Sequence, residues 1–194
     1  RKGWLLSLIA LLVPVGIFAV LGAIRSQAAD IPPIHDIATD TANPPVFSQT
    51  VLDQRAAAGA NPLNDYATPL GELKMWSESE PPLADRSHAQ VIAAAYPDLA
   101  PLPLGSTSPA EAAELVVSAM EEMGFAQVTA DAETGRIEGV AETFWFGFKD
   151  DMVVRIADGA IDFRSVSRVG VSDLGANAAR IAALRDAVAE RLNR

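Results

Sequence analysis

A polar stretch near the C-terminus, RSVSRVGVSDLGAN (residues 164–177), holds the residue types best suited to chemistry in this chain. It joins two arginines, an aspartate, hydroxyl and amide side chains and two glycines between an apolar strand pattern and an apolar helix pattern. Guanidinium groups beside a helix N-terminus bind phosphate or carboxylate groups. Arginine and aspartate also pair with each other in structural ion-pair networks. The stretch therefore predicts an anion or ligand site, a partner-docking surface or a polar brace for the fold.

The candidate cluster extends into the preceding strand and the following helix. Asp150 and Asp151 are neighbours, and neighbours on a strand point to opposite faces of a sheet, which disfavours a shared acid–base role. Ser172 or Asp173 is placed to N-cap the last helix. The candidate binding or structural polar cluster comprises Asp150, Asp151, Arg164, Ser165, Ser167, Arg168, Ser172, Asp173, Asn177 and Arg180.

Signatures of catalysis and metal binding are missing from the sequence. The chain contains no cysteine, which excludes thiol nucleophiles and thiolate metal sites. It has no G-x-x-x-x-G-K-[ST], H-E-x-x-H or G-x-S-x-G motif. Its two histidines, His35 and His88, stand apart in a proline-rich region, and we interpret each as a surface residue or a hydrogen-bonded polar residue. We expect a protein without enzyme activity, metal or cofactor.

A predicted hairpin positions the arginines of the cluster. Asp-Gly at 158–159 is a strong signal for a two-residue turn, and we predict strands over Asp151–Ala157 and Ala160–Val169. The resulting register places Arg155 opposite Asp162 and puts apolar and charged side chains on opposite faces of the hairpin. We interpret the charged face as a ladder of exposed ion pairs formed by Asp151, Arg155, Asp162, Arg164 and Arg168.

The remaining elements complete an α+β domain over residues 107–194. Ser108 followed by proline and Glu111 indicates a helix start with a capping box, and a second helix is predicted over Ala176–Leu192. Two further strands are predicted over Gln127–Glu133 and Arg136–Glu142. We expect an antiparallel sheet of about four strands packed by two helices on one face.

Residues 26–106 form a proline-rich arm. Most of the 13 prolines of the chain lie between Pro32 and Pro103, and proline favours extended backbone and turns. A short strand is predicted at Val46–Val51 and a weak helix at Arg86–Ala95. We expect this arm to wrap around the globular domain or to link it to a partner.

An aromatic run, FWFGF, lies between two predicted strands. Its simplest interpretation is a core strand with an edge contact. Exposed aromatic strips also serve as docking sites for proteins or membranes. We assign Phe144, Trp145 and Phe146 as a candidate interaction surface.

Residues 1–25 have the properties of a transmembrane anchor. The run from Trp4 to Ile24 carries no charge and is long enough for a helix that crosses a bilayer core of roughly 30 Å. The basic residues at 1–2 place this end on the cytoplasmic side. A cleavable signal peptide is the alternative, because small residues follow at 26–30, but the apolar run is longer than is usual for one. We favour a retained anchor with the globular domain in the periplasm of a bacterial inner membrane.

The net charge of the chain is -10. Three of its basic residues flank the apolar N-terminal run, so the remaining part is more acidic still. An acidic domain is repelled by phosphate backbones. Nucleic-acid binding is therefore disfavoured.

Several separated motifs resemble the bacterial and plastid family known as domain-of-unknown-function family 1499. They are PPIHDIATDTANPPVF, AYPDLAPLPL, RIEGVAETFWFGFKDDMVVRI and IDFRSVSRVGVSDLGANAARI, in this order, and the resemblance runs from about Ile31 to the end. It implies no activity, because none is established for the family. Members with this arm resemble multi-helix membrane proteins that continue into such a domain. The resemblance marks as signature positions Asp150, Asp151, Arg164, Ser165, Ser167, Arg168, Gly170, Ser172, Asp173, Gly175, Asn177 and Arg180.

These patterns together predict a membrane-anchored periplasmic accessory or assembly subunit of a larger membrane complex, without catalytic activity. Its expected partners are the membrane and one or more integral membrane proteins. The alternative is a module that binds a small anion or a lipid headgroup at the Arg164–Asn177 junction.

Overall fold

From Pro33 onward, the chain forms an antiparallel sheet with helices on both faces. The computed structural model describes residues 12–16, 31–143 and 146–193. The strands are β1 (Asp36–Ala38), β2 (Leu102–Pro103), β3 (Ala126–Asp131), β4 (Arg136–Glu142), β5 (Lys149–Ala157) and β6 (Ala160–Ser167). The α-helices with bounds in this part are α1 (Gln49–Ala57), α2 (His88–Ala95), α3 (Pro109–Glu122) and α4 (Ala176–Leu192).

The sheet has the strand order β1-β6-β5-β4-β3, with β2 also paired to β6. All of its pairings are antiparallel. The predicted α+β class is confirmed, but the sheet has six strands because the proline-rich arm adds β1 and β2. Both arm strands pair with β6: β1 lies beside residues 164–166, and β2 lies beside residues 160–161.

The β5–β6 hairpin has the predicted register. Ala157 pairs with Ala160, and Arg155 pairs with Asp162. The turn fits a two-residue loop because both of its residues have positive φ, 52° at Asp158 and 77° at Gly159. A single Asp-Gly dipeptide therefore fixes which side chains of the hairpin face each side of the sheet.

Helix caps explain where the arm departs from its predicted elements. The predicted strand at Val46–Val51 is wrong, because Ser48 caps α1 by accepting a hydrogen bond from the backbone N–H of Val51. The Ser48 N–H is in turn held by Glu138 Oε1 at 2.6 Å. The weak helix predicted at Arg86–Ala95 is confirmed as α2, which begins with a complete capping box between Ser87 and Gln90.

The two faces of the sheet are covered by different parts of the chain. On one face, α3 and α4 pack over the main core, which includes Val154, Phe163 and Ile181. The opposite face carries a smaller apolar cluster in which Phe47 packs on Val153 and Val166. The segment Phe47–Ala57 thus covers the sheet face that the sequence assigned to exposed charges.

The predicted membrane anchor lies largely outside the described residues. Only residues 12–16 of the run from Trp4 to Ile24 are described, and they are helical. No helix within the described parts of the chain has the length and apolar character needed to cross a membrane. The anchor stays a prediction.

Gly135 tests how closely β4 and β5 are packed. Its φ is +65°, and a Cβ atom at this position would lie 2.4 Å from the carbonyl oxygen of Ile156. Gly159 also has positive φ, at +77°, but a Cβ atom there would meet nothing within 4 Å. We expect Gly159→Ala to cost about 1–2 kcal/mol of unfolding free energy from backbone strain alone. Gly135→Ala should cost about 1–3 kcal/mol more because of the added clash.

Urea unfolding of the two variants in parallel measures this difference. Equal losses of stability would contradict the close approach of Gly135 to Ile156.

Candidate functional site

The alternation of strand side chains divides the predicted cluster between the two faces of the sheet. Asp150, Ser165 and Ser167 contact residues of α4 or its first turn. Asp151 and Arg164 contact residues of the arm on the opposite face. The candidate residues therefore form two separate polar networks rather than one site.

Asn177 is the centre of the network on the α4 face, and it is fully buried. Its Nδ2 donates to the carbonyl oxygen of His35 at 3.0 Å and to Ser167 Oγ at 2.9 Å. Its Oδ1 accepts from Ser165 Oγ at 2.5 Å and from Arg180 Nη1 at 2.7 Å. Both polar atoms of the Asn177 side chain thus hold α4 against β6, and Nδ2 also holds it against His35, the residue before β1.

Two further contacts fasten the start of α4. Arg180 Nη2 donates to Asp150 Oδ2 at 2.7 Å. Asp173 accepts from the N–H of Asn177 at 2.9 Å and from the N–H of Gly175 at 2.8 Å. Burial raises the pKa of the Asp173 carboxyl. Of the two predicted caps, Asp173 makes the helix contact, whereas Ser172 accepts from the N–H of Leu174 in the preceding turn.

On the opposite face, the buried Asp151 carboxylate forms ion pairs with two arginines. It accepts from Arg55 Nη1 at 2.5 Å and from Arg168 Nη2 at 2.6 Å. Arg55 belongs to α1 and is itself buried, so the pair joins the arm to β5. Sequence patterns missed Arg55 because α1 was not predicted.

Asp36 and Arg164 form a second buried ion pair with two parallel contacts. Arg164 Nε lies 3.0 Å from Asp36 Oδ1, and Nη2 lies 2.8 Å from Oδ2. The Tyr66 hydroxyl also donates to Asp36, and Arg164 Nη1 donates to the carbonyl oxygen of Pro45 at 3.1 Å. Burial by itself would raise the pKa of Asp36, but the Arg164 guanidinium and the hydrogen bonds hold it below its usual value.

The prediction that the ion-pair ladder is exposed to solvent is therefore wrong. Arg155 does contact Asp162, at 2.9 Å, and it also contacts Asp40 of the arm, at 3.0 Å. Asp151 and Arg164, however, are only 1% and 3% exposed. The arm excludes water from this face because it supplies both covering side chains and carboxylate or guanidinium partners.

The two histidines belong to a buried aromatic cluster, so their interpretation as surface residues is wrong. The alternative, a hydrogen-bonded polar residue, agrees with one contact of each ring: His35 Nδ1 lies 3.3 Å from the carbonyl oxygen of Val171, and His88 Nε2 lies 3.5 Å from Asn64 Nδ2. His35 stacks on Trp76 with ring centroids 5.5 Å apart, and His88 meets the same indole edge-on at 4.9 Å. Both imidazoles are fully buried. Within the described residues, His35 Nε2 and His88 Nδ1 have no hydrogen-bond partner. Desolvation lowers the pKa of His35 and lowers that of His88 to about 4.

These protonation states give the cluster a structural role at neutral pH. Neutral imidazoles pack against an indole without placing an unpaired charge in the core. His35, Trp76 and His88 belong to three separate segments of the arm, so the folded arm brings the three rings together.

The aromatic candidates are only partly described. Phe144 and Trp145 lie outside the described residues. Phe146 is 76% exposed, and its ring stacks on that of Phe148 with centroids 5.6 Å apart. The interaction surface stays a prediction, and the exposure of Phe146 is compatible with it.

An apolar groove runs along one side of α3, between this helix and the turn end of the β3–β4 hairpin. Its volume is about 750 Å³. The strand on this side, β3, is the last of the sheet and pairs only with β4 among the described strands. Across the part of the chain described, no three carboxylates or histidines come together as a metal site. The apolar lining consists mainly of Pro109, Ala110, Ala113, Val117, Ala130 and Ile137.

The burial of the Asp36–Arg164 pair is tested by replacing two aspartates of the arm, one at a time, with asparagine. Asp36→Asn leaves the buried Arg164 without its charge partner, and we expect a loss of about 3–5 kcal/mol in unfolding free energy. Asp40→Asn is the matched control, because Arg155 keeps Asp162 and the Asp40 side chain is 28% exposed. We expect less than about 1 kcal/mol there. Similar losses in both variants, measured by urea unfolding, would contradict a buried Asp36–Arg164 pair.

His88 makes stability depend on pH. Its folded pKa of about 4 lies below the ordinary value of 6.5, so its stabilising effect is present above pH 6.5 and is lost as the pH falls towards 4. Between pH 7 and pH 5 this loss amounts to about 2 kcal/mol. In urea unfolding of His88→Gln, the loss of stability between pH 7 and pH 5 should therefore be smaller than that of the wild type by about 2 kcal/mol. A variant that keeps the full slope between pH 7 and pH 5 would exclude His88 as its source.

Comparisons with known proteins assign the chain to a family. None of the curated proteins matches it. The model of a family described as "Protein of unknown function (DUF1499)" matches residues 36–188. This match covers most of the chain and runs from the first residue of β1 into α4, so it includes the arm strands together with the sheet. The resemblance seen in the sequence motifs is confirmed, and the chain belongs to the DUF1499 family.

Proposed function

We propose that this protein is a membrane-anchored periplasmic accessory subunit that binds a membrane-protein partner and does not turn over a substrate. The observation that carries the proposal is the apolar groove beside β3, a strand that pairs only with β4 among the described strands. This surface is where an extended segment of a partner fits best.

An unpaired strand edge supports the proposal because it offers backbone N–H and C=O groups to another chain. The register of β3 shifts between Ala126 and Thr129, and Gln127 has a φ of 55°. This bulge distorts the first part of the strand. The regular part, Thr129–Asp131, is the part suited to pairing with an added strand.

The groove beside this edge supplies the second half of a docking site. In β-strand addition the backbone gives affinity, and pockets for alternate side chains give specificity. The groove is lined by small apolar residues of α3, and its floor includes Ile137 of β4. It therefore suits the apolar side chains of an extended segment.

Charge narrows the chemistry of the partner segment. Glu114 and Glu121 also line the groove, and both are exposed. Asp131 forms an ion pair with Arg136 at 3.0 Å, so the charges of these two groove residues offset each other. Lysine or arginine residues flanking an apolar segment would complement the two glutamates. The proposed partner is thus a protein with an extended apolar segment that carries basic residues.

The polar networks support a structural role for the signature residues. Arg164, Arg168 and Arg180 each contact a carboxylate of this chain. An anion or lipid headgroup at the Arg164–Asn177 junction would have to compete with those carboxylates. The contacts therefore favour the accessory subunit over the anion-binding alternative.

Copurification of the full chain from membranes in mild detergent tests the proposal. Ala110→Arg places a long charged side chain in the groove at an exposed helical position. We expect it to reduce the recovered partner by at least about ten-fold, because the arginine side chain blocks apolar contacts in the groove. Ala183→Arg is the matched control, since Ala183 is also exposed on a helix and lies outside the groove.

Equal unfolding midpoints of the two variants establish that the fold is intact. The proposal fails if the wild-type chain is recovered without partners. It also fails if Ala110→Arg retains its partners as well as Ala183→Arg does.

A further inference from the structure

We propose that one end of the sheet rests on the lipid bilayer through a set of exposed apolar side chains, here called the apolar rim. This inference rests on the anchoring part of the proposed function and adds which surface faces the lipid. It does not involve the groove beside β3. The apolar rim consists of Phe146, Phe148, Val169, Val171 and Leu174.

Strand register brings the two loops of the apolar rim to the same end of the sheet. One loop follows β4 and closes with a hydrogen bond from the N–H of Thr143 to the carbonyl oxygen of Phe148, at 2.9 Å. The other loop follows β6. The two meet where Arg168 N–H donates to the carbonyl oxygen of Lys149, at 2.9 Å, next to the paired residues Asp150 and Ser167.

The chain enters the domain at this same end. The N–H of Ser167 donates to the carbonyl oxygen of His35 at 3.0 Å, and the N–H of Asp173 donates to that of Ile34 at 3.3 Å. His35 Nδ1 also lies 3.3 Å from the carbonyl oxygen of Val171. The first residues of the domain therefore run alongside the loop that carries Val169, Val171 and Leu174.

The chain between the predicted membrane span and the domain is short. The predicted span ends at Ile24, and the domain begins at Pro33. Residues 25–32 connect them, and even a fully extended chain of this length reaches only roughly 28 Å. Since the chain enters beside the apolar rim, this end of the domain has the shortest covalent path to the bilayer.

The exposure of the apolar rim is unusual for the described part of the domain. Phe146 is 76% exposed and Leu174 is 60% exposed. Beyond Pro33, the other exposed large apolar side chains among the described residues are Val46, which is 67% exposed, and Met123, which is 39% exposed. A concentration of such side chains at one end marks an interaction surface.

Lipid is the occupant that these observations favour. The apolar rim comes from two loops and contributes nothing to the lining of the groove beside β3. Phe146 and Phe148 are already stacked, so burying them in the interfacial region orders little. The neighbouring Lys149 lies 3.9 Å from Glu142. Glu142 therefore offsets the charge of Lys149, so this pair adds no net charge next to the apolar rim.

Site-specific quenching in lipid vesicles tests the proposal. The chain has no cysteine, so a single introduced cysteine carries the only thiol label. Val171→Cys reports on the apolar rim. Glu133→Cys is the control, because Glu133 is exposed in the turn before β4, whose first residue pairs with Arg155. That turn is separated from the Asp150–Ser167 end by roughly 16 Å of sheet.

The full chain is reconstituted into zwitterionic phosphatidylcholine vesicles containing headgroup-level nitroxide lipids. We expect the label at residue 171 to be quenched at least about five-fold more than the label at residue 133, because interfacial side chains lie within the headgroup region. Adding Phe146→Ser and Phe148→Ser should lower quenching at residue 171 by at least about two-fold. Val46→Ser, at an exposed apolar site outside the apolar rim, should leave it unchanged.

Each outcome has a distinct meaning. Equal quenching at residues 171 and 133 in vesicles that retain the protein overturns the proposal and leaves the apolar rim as a surface for a protein partner. A chain that does not remain with the vesicles overturns the anchor and this inference together. Loss of partner in Ala110→Arg, with quenching unchanged, separates the groove from the apolar rim.

Discussion

The buried ion pair between Asp36 and Arg164 is the contact on which the rest of the structure depends. Two buried charges are stable in a protein interior only when they are paired with good geometry and further hydrogen bonds. Here Arg164 contacts Asp36 through two nitrogens. The Tyr66 hydroxyl also donates to Asp36, and Arg164 also donates to the carbonyl oxygen of Pro45. Because Asp36, Tyr66 and Pro45 all belong to the arm, the charge of Arg164 cannot be buried unless the arm is in place.

This requirement gives the signature residues a structural explanation. The second buried pair repeats the arrangement, with Arg55 of the arm bound to Asp151 of the sheet. Asn177 closes the opposite face by connecting α4 to the carbonyl oxygen of His35. The polar side chains that resemble a ligand site are thus the contacts by which the arm and the last helix bind the sheet. Both proposed functions therefore involve outer surfaces, the groove beside β3 and the apolar rim.

Local patterns predicted the elements that are encoded locally. The Asp-Gly turn at 158–159 fixed the hairpin register, and Ser108 correctly marked the start of α3, where its Oγ accepts from the N–H of Glu111 at 3.2 Å. The length of α4 followed from its apolar spacing. These features depend on neighbours within a few residues, so sequence alone determines them.

The remaining features depend on contacts between distant parts of the chain. β1 and β2 have three and two residues, too few for a periodic pattern. The burial of His35 and His88 follows from Trp76, which is brought between them by the fold of the arm. The burial of the ion pairs likewise depends on α1, which covers them. This helix was not predicted from the sequence because the β-branched residues near Val51 favour a strand. No local rule carries this information, because each contact joins segments far apart in sequence.

Hydrogen exchange of individual backbone amides tests most directly the claim that the arm is part of the folded sheet. The N–H of Thr39 in the arm donates to the carbonyl oxygen of Phe163, at 2.9 Å, and that of Ile156 in the central hairpin donates to Gly135, at 2.8 Å. If the arm and the sheet unfold as one unit, the two amides should exchange with similar free energies of opening. Exchange of Thr39 at the rate of an unfolded chain, with Ile156 still protected, would contradict the account.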